Sequence, residues 1–233
     1  MKNPYFLSER EDALMEENAT NAWQLLLLTI MESIRARKDK VHAVLDVGCH
    51  WGGLLFRMVE ILNASELYGI EPLQTARAEA VKRLGKLRKR GLTFGIFSER
   101  EWSSIPVEHI DLVVCHEAIH LIDRDELMRH IALVLRPGGK AYIVTSCHTE
   151  SKYWMGHLRP KVIKRHRRRI VDHSPFQICQ AAMDQGLRVS FRPLFPYGWI
   201  SYESEREAGL SSARKVMEHH YRDILVFRIT KPT

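Results

Sequence analysis

The spacing of hydrophobic positions changes repeatedly along the chain and divides it into alternating strands and helices. Short runs rich in Val, Ile and Leu are typical of buried parallel strands, whereas apolar positions three and four apart predict helices. The predicted strands are 41–47, 67–70, 92–97, 110–115, 140–146, 187–191 and 223–229. The predicted helices are 8–37, one beginning at 54, 74–90, one capped by Asp123, and 174–186. This alternation predicts an α/β fold with helices on both faces of a mostly parallel sheet.

Helix-capping patterns support two of these boundaries. Asp123 and Glu126 have the spacing of a capping box, in which the first side chain accepts a backbone N–H three residues later. Pro137-Gly138-Gly139 is expected to stop this helix before the next strand. Ser174 and Gln177 repeat the capping-box spacing, with proline at the first helical position between them.

Length and composition favour one ordinary globular domain. The chain has 233 residues, of which 45% are hydrophobic and 27% charged, so a disordered or fibrous protein is excluded. We expect a single domain over 1–233 with a helical N-terminal cap at 1–39 and an inserted lid at 148–173. The N-terminus is too acidic for a targeting peptide, which predicts the cytoplasm. No Cys-x-x-Cys pair occurs, and a disulfide scaffold is excluded.

Positive charge is concentrated in one segment. Lys and Arg total 35 and Asp and Glu total 28, which gives a net charge of +7. Segment 151–173 alone holds eight Lys or Arg and one Asp, so the remainder of the chain is formally neutral. Such a patch fits three interpretations: it binds nucleic-acid phosphates, it neutralises an acidic small substrate, or it is a solvated helical face.

The sequence VLDVGCHWGGLLF at 44–56 has the pattern of a strand, a glycine-rich turn and a helix. Glycines at Gly48 and Gly52 allow the backbone to approach a ligand closely, and the following helix offers unpaired N–H groups. Glu71 follows the next predicted strand, at a distance that suits a carboxylate accepting hydrogen bonds from ribose hydroxyls. Taken alone, the turn is equally compatible with a purely structural strand-to-helix connection.

Four motifs in order add a family resemblance. VLDVGC with a following glycine, YGIEP, IDLVVCHEAIHLI and ELMRHIALVLRPGGKAYIV together resemble the class I S-adenosylmethionine-dependent methyltransferases. The resemblance is strong over 40–147 and weaker over 174–230. It implies a Rossmann-like, seven-stranded sheet with an antiparallel last strand. It also implies S-adenosylmethionine as cofactor, with S-adenosylhomocysteine as product.

The resemblance assigns cofactor contacts residue by residue. Asp46, Gly48 and Gly52 match positions beside the methionine part, and Glu71 matches the ribose-binding acid. Glu99 is the candidate for the adenine amine. The full set of predicted cofactor residues is Asp46, Gly48, Cys49, His50, Gly52, Glu71, Pro72, Glu99, Cys115 and His116.

Two departures from the family pattern stand out. His50 occupies the position where the family has its middle glycine, so it either is tolerated, crowds the cofactor or contacts a ligand. The residues after the fourth strand, His116-Glu117-Ala118-Ile119, differ from the Asn/Asp-Pro-Pro-aromatic tetrad of enzymes that methylate base amines. This difference counts against amine methylation of adenine or cytosine.

His116, Glu117 and His120 form a literal His-Glu-x-x-His pattern. Zinc proteases need this pattern on one continuous helix, but here a predicted strand runs directly into His116. Small-RNA 2′-O-methyltransferases bind metal near this position, yet the pattern is incomplete even with His166 or His173 as remote ligands. We therefore predict no metal. His116 remains a candidate catalytic base that takes a proton from the acceptor, or a residue that packs around the cofactor.

The predicted substrate site lies under a lid formed by the N-terminal helix, segment 151–173 and loop 195–206. Its candidate residues are His120, Tyr153, Trp154, Arg167 and Trp199, whose rings and charge suit stacking and anion binding. The favoured function is methyl transfer to an oxygen or nitrogen atom of a small molecule. The alternatives are an RNA methyltransferase that uses 151–173, and a non-catalytic cofactor-binding homologue in which His50 marks a decayed site.

Overall fold

The computed structural model describes residues 40–87, 91–116, 118–119, 122–146, 175–193 and 224–233. Strands and helices alternate through these ranges, and all belong to one unit, Val41–Thr233. The strands are β1 Ala43–Val47, β2 Glu66–Ile70, β3 Thr93–Phe97, β4 Ile110–His116, β5 Leu135–Ser146, β6 Arg188–Pro193 and β7 Ile224–Thr230. The helices are α1 Gly53–Leu62, α2 Gln74–Gly85, α3 Arg124–Val134 and α4 Pro175–Asp184, with a short 3₁₀ turn at Trp102–Ser104.

The seven strands form one sheet in the order β3-β2-β1-β4-β5-β7-β6. Neighbours from β3 to β5 pair in parallel, whereas β7 runs antiparallel to both β5 and β6. Helices α1 and α2 contact each other, as do α3 and α4. Because crossovers between parallel strands are right-handed as a rule, the reversal of strand order at β1 is expected to put these two pairs on opposite faces. The predicted three-layer α/β architecture, including the antiparallel last strand, is confirmed.

The core lies where the central strands are covered on both sides. All five residues of β1 are buried, as expected for a parallel strand between two helical layers. Leu45, Val113, Ile143 and Phe227 are fully inaccessible to solvent. This apolar packing holds the central strands rigidly, so the loops that leave their carboxyl ends start from fixed positions.

The amino-terminal ends of β1 and β4 are fastened by a single carboxylate. Oδ2 of Asp111 accepts hydrogen bonds of 2.8 Å from the amides of both His42 and Ala43. Arg136 forms an ion pair with the same carboxylate. Val47 is consequently in register with Cys115, so the carboxyl ends of these two strands are level.

The predicted cap of α3 is confirmed, but the segment that follows differs from the prediction. The side chain of Asp123 accepts a 2.8 Å hydrogen bond from the amide of Glu126. The helix ends at Val134, and the strand begins at once with Leu135 rather than at 140. Pairing shifts register between Ile110 and Leu112, so the Pro-Gly-Gly stretch is accommodated as an irregularity inside β5.

Several predicted segments lie outside the described residues. They are the helix 8–37 within the N-terminal cap 1–39, the lid 148–173 and the loop 195–206, so the domain organisation over 1–233 stays a prediction. No helix among the described residues is long and apolar enough to cross a membrane.

Candidate functional site

The chemically interesting residues gather at the carboxyl ends of β2, β1 and β4. In the sheet, β2 lies beside β1 on one side and β4 lies beside it on the other. The order in which successive strands are added therefore reverses between β1 and β4. In open α/β sheets, ligands bind in the crevice that such a switch point creates. The glycine turn, Glu71 and His116 directly follow or end these three strands.

The glycine turn is shaped by its two predicted glycines. Gly48 has a φ of +80° and Gly52, the N-cap of α1, a φ of +72°, both in the left-handed region that favours glycine. A Cβ at Gly48 would overlap the Cβ of Ala118 in the loop after β4. The amides of Gly48 and Cys49 donate to the carbonyl of Ile70 at 2.8 and 3.1 Å, which fixes the turn against β2.

His50 adopts the left-handed backbone that the missing glycine would supply. Its φ is +46°, and its exposed imidazole stacks on Trp51 with the ring centroids 4.9 Å apart. Its amide still donates a 3.0 Å hydrogen bond to Oε2 of Glu71. The substitution therefore preserves the path of the turn and leaves the side chain on its outer surface.

Glu71 links the glycine turn to the turn after β2. The residue is buried, with Oε2 bound by the amide of His50 and Oε1 by the amide of Leu73 at 2.9 Å. Two ionised carboxylate oxygens can accept about four hydrogen bonds in total. Glu71 thus retains acceptor capacity for a pair of ligand hydroxyls, while Pro72 beside it is exposed.

Asp46 is a buried acid near the end of β1. It is 1% exposed, and neither carboxylate oxygen has a hydrogen bond within the part of the chain that the structure describes. Burial first, and then the nearby charge of Glu71, raise the pKa of Asp46 to about 8. Because an unsatisfied buried carboxyl is costly, this position suits a polar or cationic group of a ligand.

At the end of β3, the acid fixed by hydrogen bonds is not the predicted one. Glu99 is half-exposed and lies 3.8 Å from Arg100. Glu101 instead accepts hydrogen bonds from the amide of Ser98 at 2.9 Å and from its hydroxyl at 2.5 Å. The Ser-x-x-Glu spacing from 98 to 101 is the sequence signal that identifies this arrangement. Glu101 is therefore a further candidate beside Glu99.

Cys115 and His116 end β4 on the other side of β1. Cys115 is fully buried, and His116 is partly exposed. Burial lowers the pKa of His116 to about 4. Its imidazole is consequently neutral at physiological pH and can accept a proton. This strand-end position also confirms that the His-Glu-x-x-His pattern does not begin on a helix.

The predicted substrate residues His120, Tyr153, Trp154, Arg167 and Trp199 lie outside the described residues, as do His166 and His173. Within the ranges that are described, no three His, Cys, Asp or Glu side chains come together in a group that could hold a metal ion. The described part of the site therefore consists of the cofactor candidates on β1, β2, β3 and β4.

Comparison with known proteins finds a similar domain in this part of the chain. A family model described as "Methyltransferase domain" matches residues 45–141, which include the glycine turn, Glu71 and β4. Over these residues the chain is similar to the class I S-adenosylmethionine-dependent methyltransferases, whose fold it shares. The chain is 32% identical over 116 residues to the mitochondrial ubiquinone biosynthesis O-methyltransferase of Homo sapiens, covering 48% of this chain and 31% of that protein.

Two further relatives define the extent of the similarity. The methyltransferase domain is 28% identical over 158 residues to the ubiquinone biosynthesis O-methyltransferase of Aeromonas salmonicida, covering 63% of each chain. The chain thus spans less than two thirds of these curated relatives. The structure of phosphoethanolamine N-methyltransferase 2 from Haemonchus contortus with S-adenosyl-L-methionine matches with a TM-score of 0.61 at 18% identity. That match covers 89% of this chain and 52% of that one, and supports the fold.

The residues at the methyltransferase switch point fit S-adenosylmethionine, the cofactor of this family. The buried carboxylate of Asp46 lacks a partner among the described residues, and Gly48 leaves no room for a Cβ. Glu71 retains acceptors for hydroxyl groups beside the same turn. A cationic sulfonium ligand with a ribose diol has groups that complement both carboxylates.

Proposed function

We propose that this chain transfers the methyl group of S-adenosylmethionine to an oxygen or nitrogen atom of a small molecule. The observation that carries the proposal is the convergence of three features: the buried acid Asp46, which accepts no hydrogen bond from the described residues, the close turn at Gly48, and the partly satisfied carboxylate of Glu71. In this family, these are the elements expected around a sulfonium cofactor.

The proposed roles follow from the position of each residue. Asp46, Gly48 and Gly52, with Cys49 and His50 between them, hold the methionine part, and Glu71 with Pro72 holds the ribose. Glu99 or Glu101 at the end of β3 binds the adenine amine. When bound, the cofactor supplies an electrophilic methyl group on sulfur. The protein mainly aligns the acceptor with it and excludes water, because an in-line displacement depends on both.

A hydroxyl acceptor is the first choice. His116 stands at the end of β4, and its imidazole is neutral above its lowered pKa of about 4, so a ring nitrogen can accept a hydrogen bond from the acceptor hydroxyl and take its proton once methylation makes that oxygen acidic. The curated relatives described above are O-methyltransferases of ubiquinone biosynthesis, which supports an oxygen acceptor. An amine acceptor is the alternative within the same proposal. Cys115 borders this position.

The first experiment separates cofactor binding from catalysis. Calorimetric titration with S-adenosylmethionine and S-adenosylhomocysteine should give saturable binding that weakens about tenfold or more in Glu71→Ala, because ribose hydrogen bonds are lost. Glu79→Gln, which changes an exposed acid of α2, is the matched control. Transfer of labelled methyl groups to a panel of small hydroxyl and amine acceptors is then measured with wild type and His116→Gln.

The outcomes lead to different conclusions. Transfer that drops in His116→Gln while cofactor binding is retained supports His116 as the base. Binding without transfer to any hydroxyl or amine acceptor favours the non-catalytic homologue. Absence of binding to both sulfur ligands contradicts the proposal and identifies the substitution at His50 as the first position to examine.

An RNA acceptor is a second candidate because of the charge in segment 151–173, which holds eight Lys or Arg and one Asp. If this segment binds RNA, affinity should fall steeply with salt, since each neutralised phosphate releases counterions. Replacing Arg167, Arg168 and Arg169 together should reduce both the affinity and the salt dependence. RNA binding that survives this triple replacement unchanged would exclude that role. The small-molecule candidates Tyr153, Trp154, Trp199 and His120 are then tested by alanine replacement.

A further inference from the structure

Arg77 lies in the first turn of α2 and faces back toward the turn that carries Glu71. Its Nη1 donates hydrogen bonds of 2.7 Å to the main-chain carbonyl oxygens of both Glu71 and Pro72. Its own amide donates to the carbonyl of Leu73 at 2.9 Å. One residue therefore closes the whole connection between β2 and α2, through side chain and backbone.

The guanidinium charge of Arg77 also acts on two neighbouring loops. Hydrogen bonds from Ser98 are the main reason that the pKa of Glu101 is lowered, and the nearby charge of Arg77 lowers it further. Burial is the main reason that the pKa of Cys49 in the glycine turn is raised, and the charge of Arg77 opposes that rise. Arg77 thus lies within electrostatic reach of all three loops that surround the cofactor candidates.

The direction of the Glu71 carboxylate depends on the backbone that Arg77 holds. One carboxylate oxygen is bound within its own turn by Leu73, and the other is bound across the gap by His50. A shift of the turn after β2 would therefore move Glu71 relative to the glycine turn. Hydrogen bonds from a charged guanidinium are roughly twice as strong as neutral ones, so Arg77 is a strong local constraint.

We propose that Arg77 is a positioning residue, which aims Glu71 and thereby sets the affinity for the ribose hydroxyls of the cofactor. The inference rests on the proposed cofactor use of this site. It predicts that Arg77 affects only ligands that carry those hydroxyls, which a general role in folding would not do.

The test compares S-adenosylhomocysteine with its 2′,3′-dideoxy analogue by calorimetric titration. Arg77→Gln should lower the affinity for S-adenosylhomocysteine about tenfold, which is the loss expected for one well-placed hydrogen bond. It should change the affinity for the analogue less than about twofold. Arg77→Lys should recover part of the loss, because an ammonium can reach one carbonyl. Arg57→Gln removes an exposed guanidinium of α1, which pairs with Glu60, and is the charge-matched control.

A double variant keeps the inference falsifiable. If Arg77 acts through Glu71, adding Arg77→Gln to Glu71→Ala should cause no further loss of S-adenosylhomocysteine affinity. An equal loss for both ligands in folded Arg77→Gln would overturn the inference, as would unchanged affinity. If wild type binds S-adenosylhomocysteine but Arg77→Gln does not show the expected difference between the two ligands, the proposed cofactor use stands and the inference on Arg77 is refuted. If wild type binds neither ligand, both are refuted.

Discussion

The buried carboxyl of Asp46 predicts that the ligand-free protein loses stability as pH rises through neutrality. Its pKa is about 8 in the folded protein against 3.8 ordinarily, so the folded state holds a proton that the unfolded chain has released. The stabilising contribution of this bound proton is therefore fully present below the pKa of the unfolded chain, 3.8. It decreases steadily as the pH rises to about 8, the pKa in the folded protein. Each pH unit in that interval corresponds to about 1.4 kcal/mol.

The window between pH 6.5 and 8 isolates this effect. Burial lowers the pKa of His116 to about 4 and also lowers that of His130, so both histidines contribute mainly below their ordinary pKa of 6.5 and with the opposite sign. In the folded protein, Asp46 is the group with a resolved shift among the described residues that changes protonation between pH 6.5 and 8, while the two histidines of the unfolded chain still release part of a proton there and offset the effect by a few tenths of a kcal/mol each. We expect the free energy of unfolding to fall by about 1 kcal/mol in total across this window.

Urea denaturation at several pH values measures how the free energy of unfolding depends on pH. The variant Asp46→Asn should remove the contribution of Asp46 to this dependence. The amide is similar in shape but does not titrate, so its free energy of unfolding should no longer fall over the window even if its absolute stability differs. Glu79→Gln, an exposed acid on α2, should retain the wild-type slope. Parallel profiles for wild type and Asp46→Asn between pH 6.5 and 8 would refute the reasoning. Measurements use protein without ligand, because a cationic ligand would favour the ionised acid.

Three further changes test the backbone and the helix cap by urea denaturation. Gly48→Ala should lower the free energy of unfolding by about 3 kcal/mol, because its φ is +80° and the new Cβ would overlap Ala118. Gly91→Ala, which has a similar φ but no neighbouring atoms, should lower it by about 1 kcal/mol. Equal losses for the two variants would contradict the overlap. His50→Gly should raise the free energy of unfolding by about 0.5 kcal/mol, because glycine adopts the left-handed backbone without strain. A lower free energy of unfolding would mean that stacking of His50 on Trp51 outweighs this strain. Asp123→Ala should lower the free energy of unfolding by about 1 kcal/mol because the cap of α3 is lost, whereas Asp123→Asn keeps a side-chain oxygen that can cap the helix. Equal losses in the two variants would exclude capping as the reason.

Much of the fold could be predicted from local patterns. The sequence predicts seven strands, and the described residues form seven, because a buried parallel strand needs a continuous apolar run that few other elements produce. The cap at Asp123 was equally local, since side chain and amide lie three residues apart. The start of β5 was mispredicted because Leu135 pairs with Ile110 across a register shift, a contact that no local pattern contains.

The cofactor candidates Asp46, Gly48 and Glu71 could be identified from the strand-turn-helix pattern together with the family resemblance, because both depend on residue types and their order. The surroundings of each candidate depend on the tertiary structure. Contacts across the sheet leave Asp46 buried without a hydrogen-bond partner among the described residues and give Glu71 an amide from His50. The first turn of α2 brings the guanidinium of Arg77 to the backbone of the turn that carries Glu71. Burial and hydrogen-bond partners depend on residues distant in sequence, and these two quantities set the charge and direction of each carboxylate.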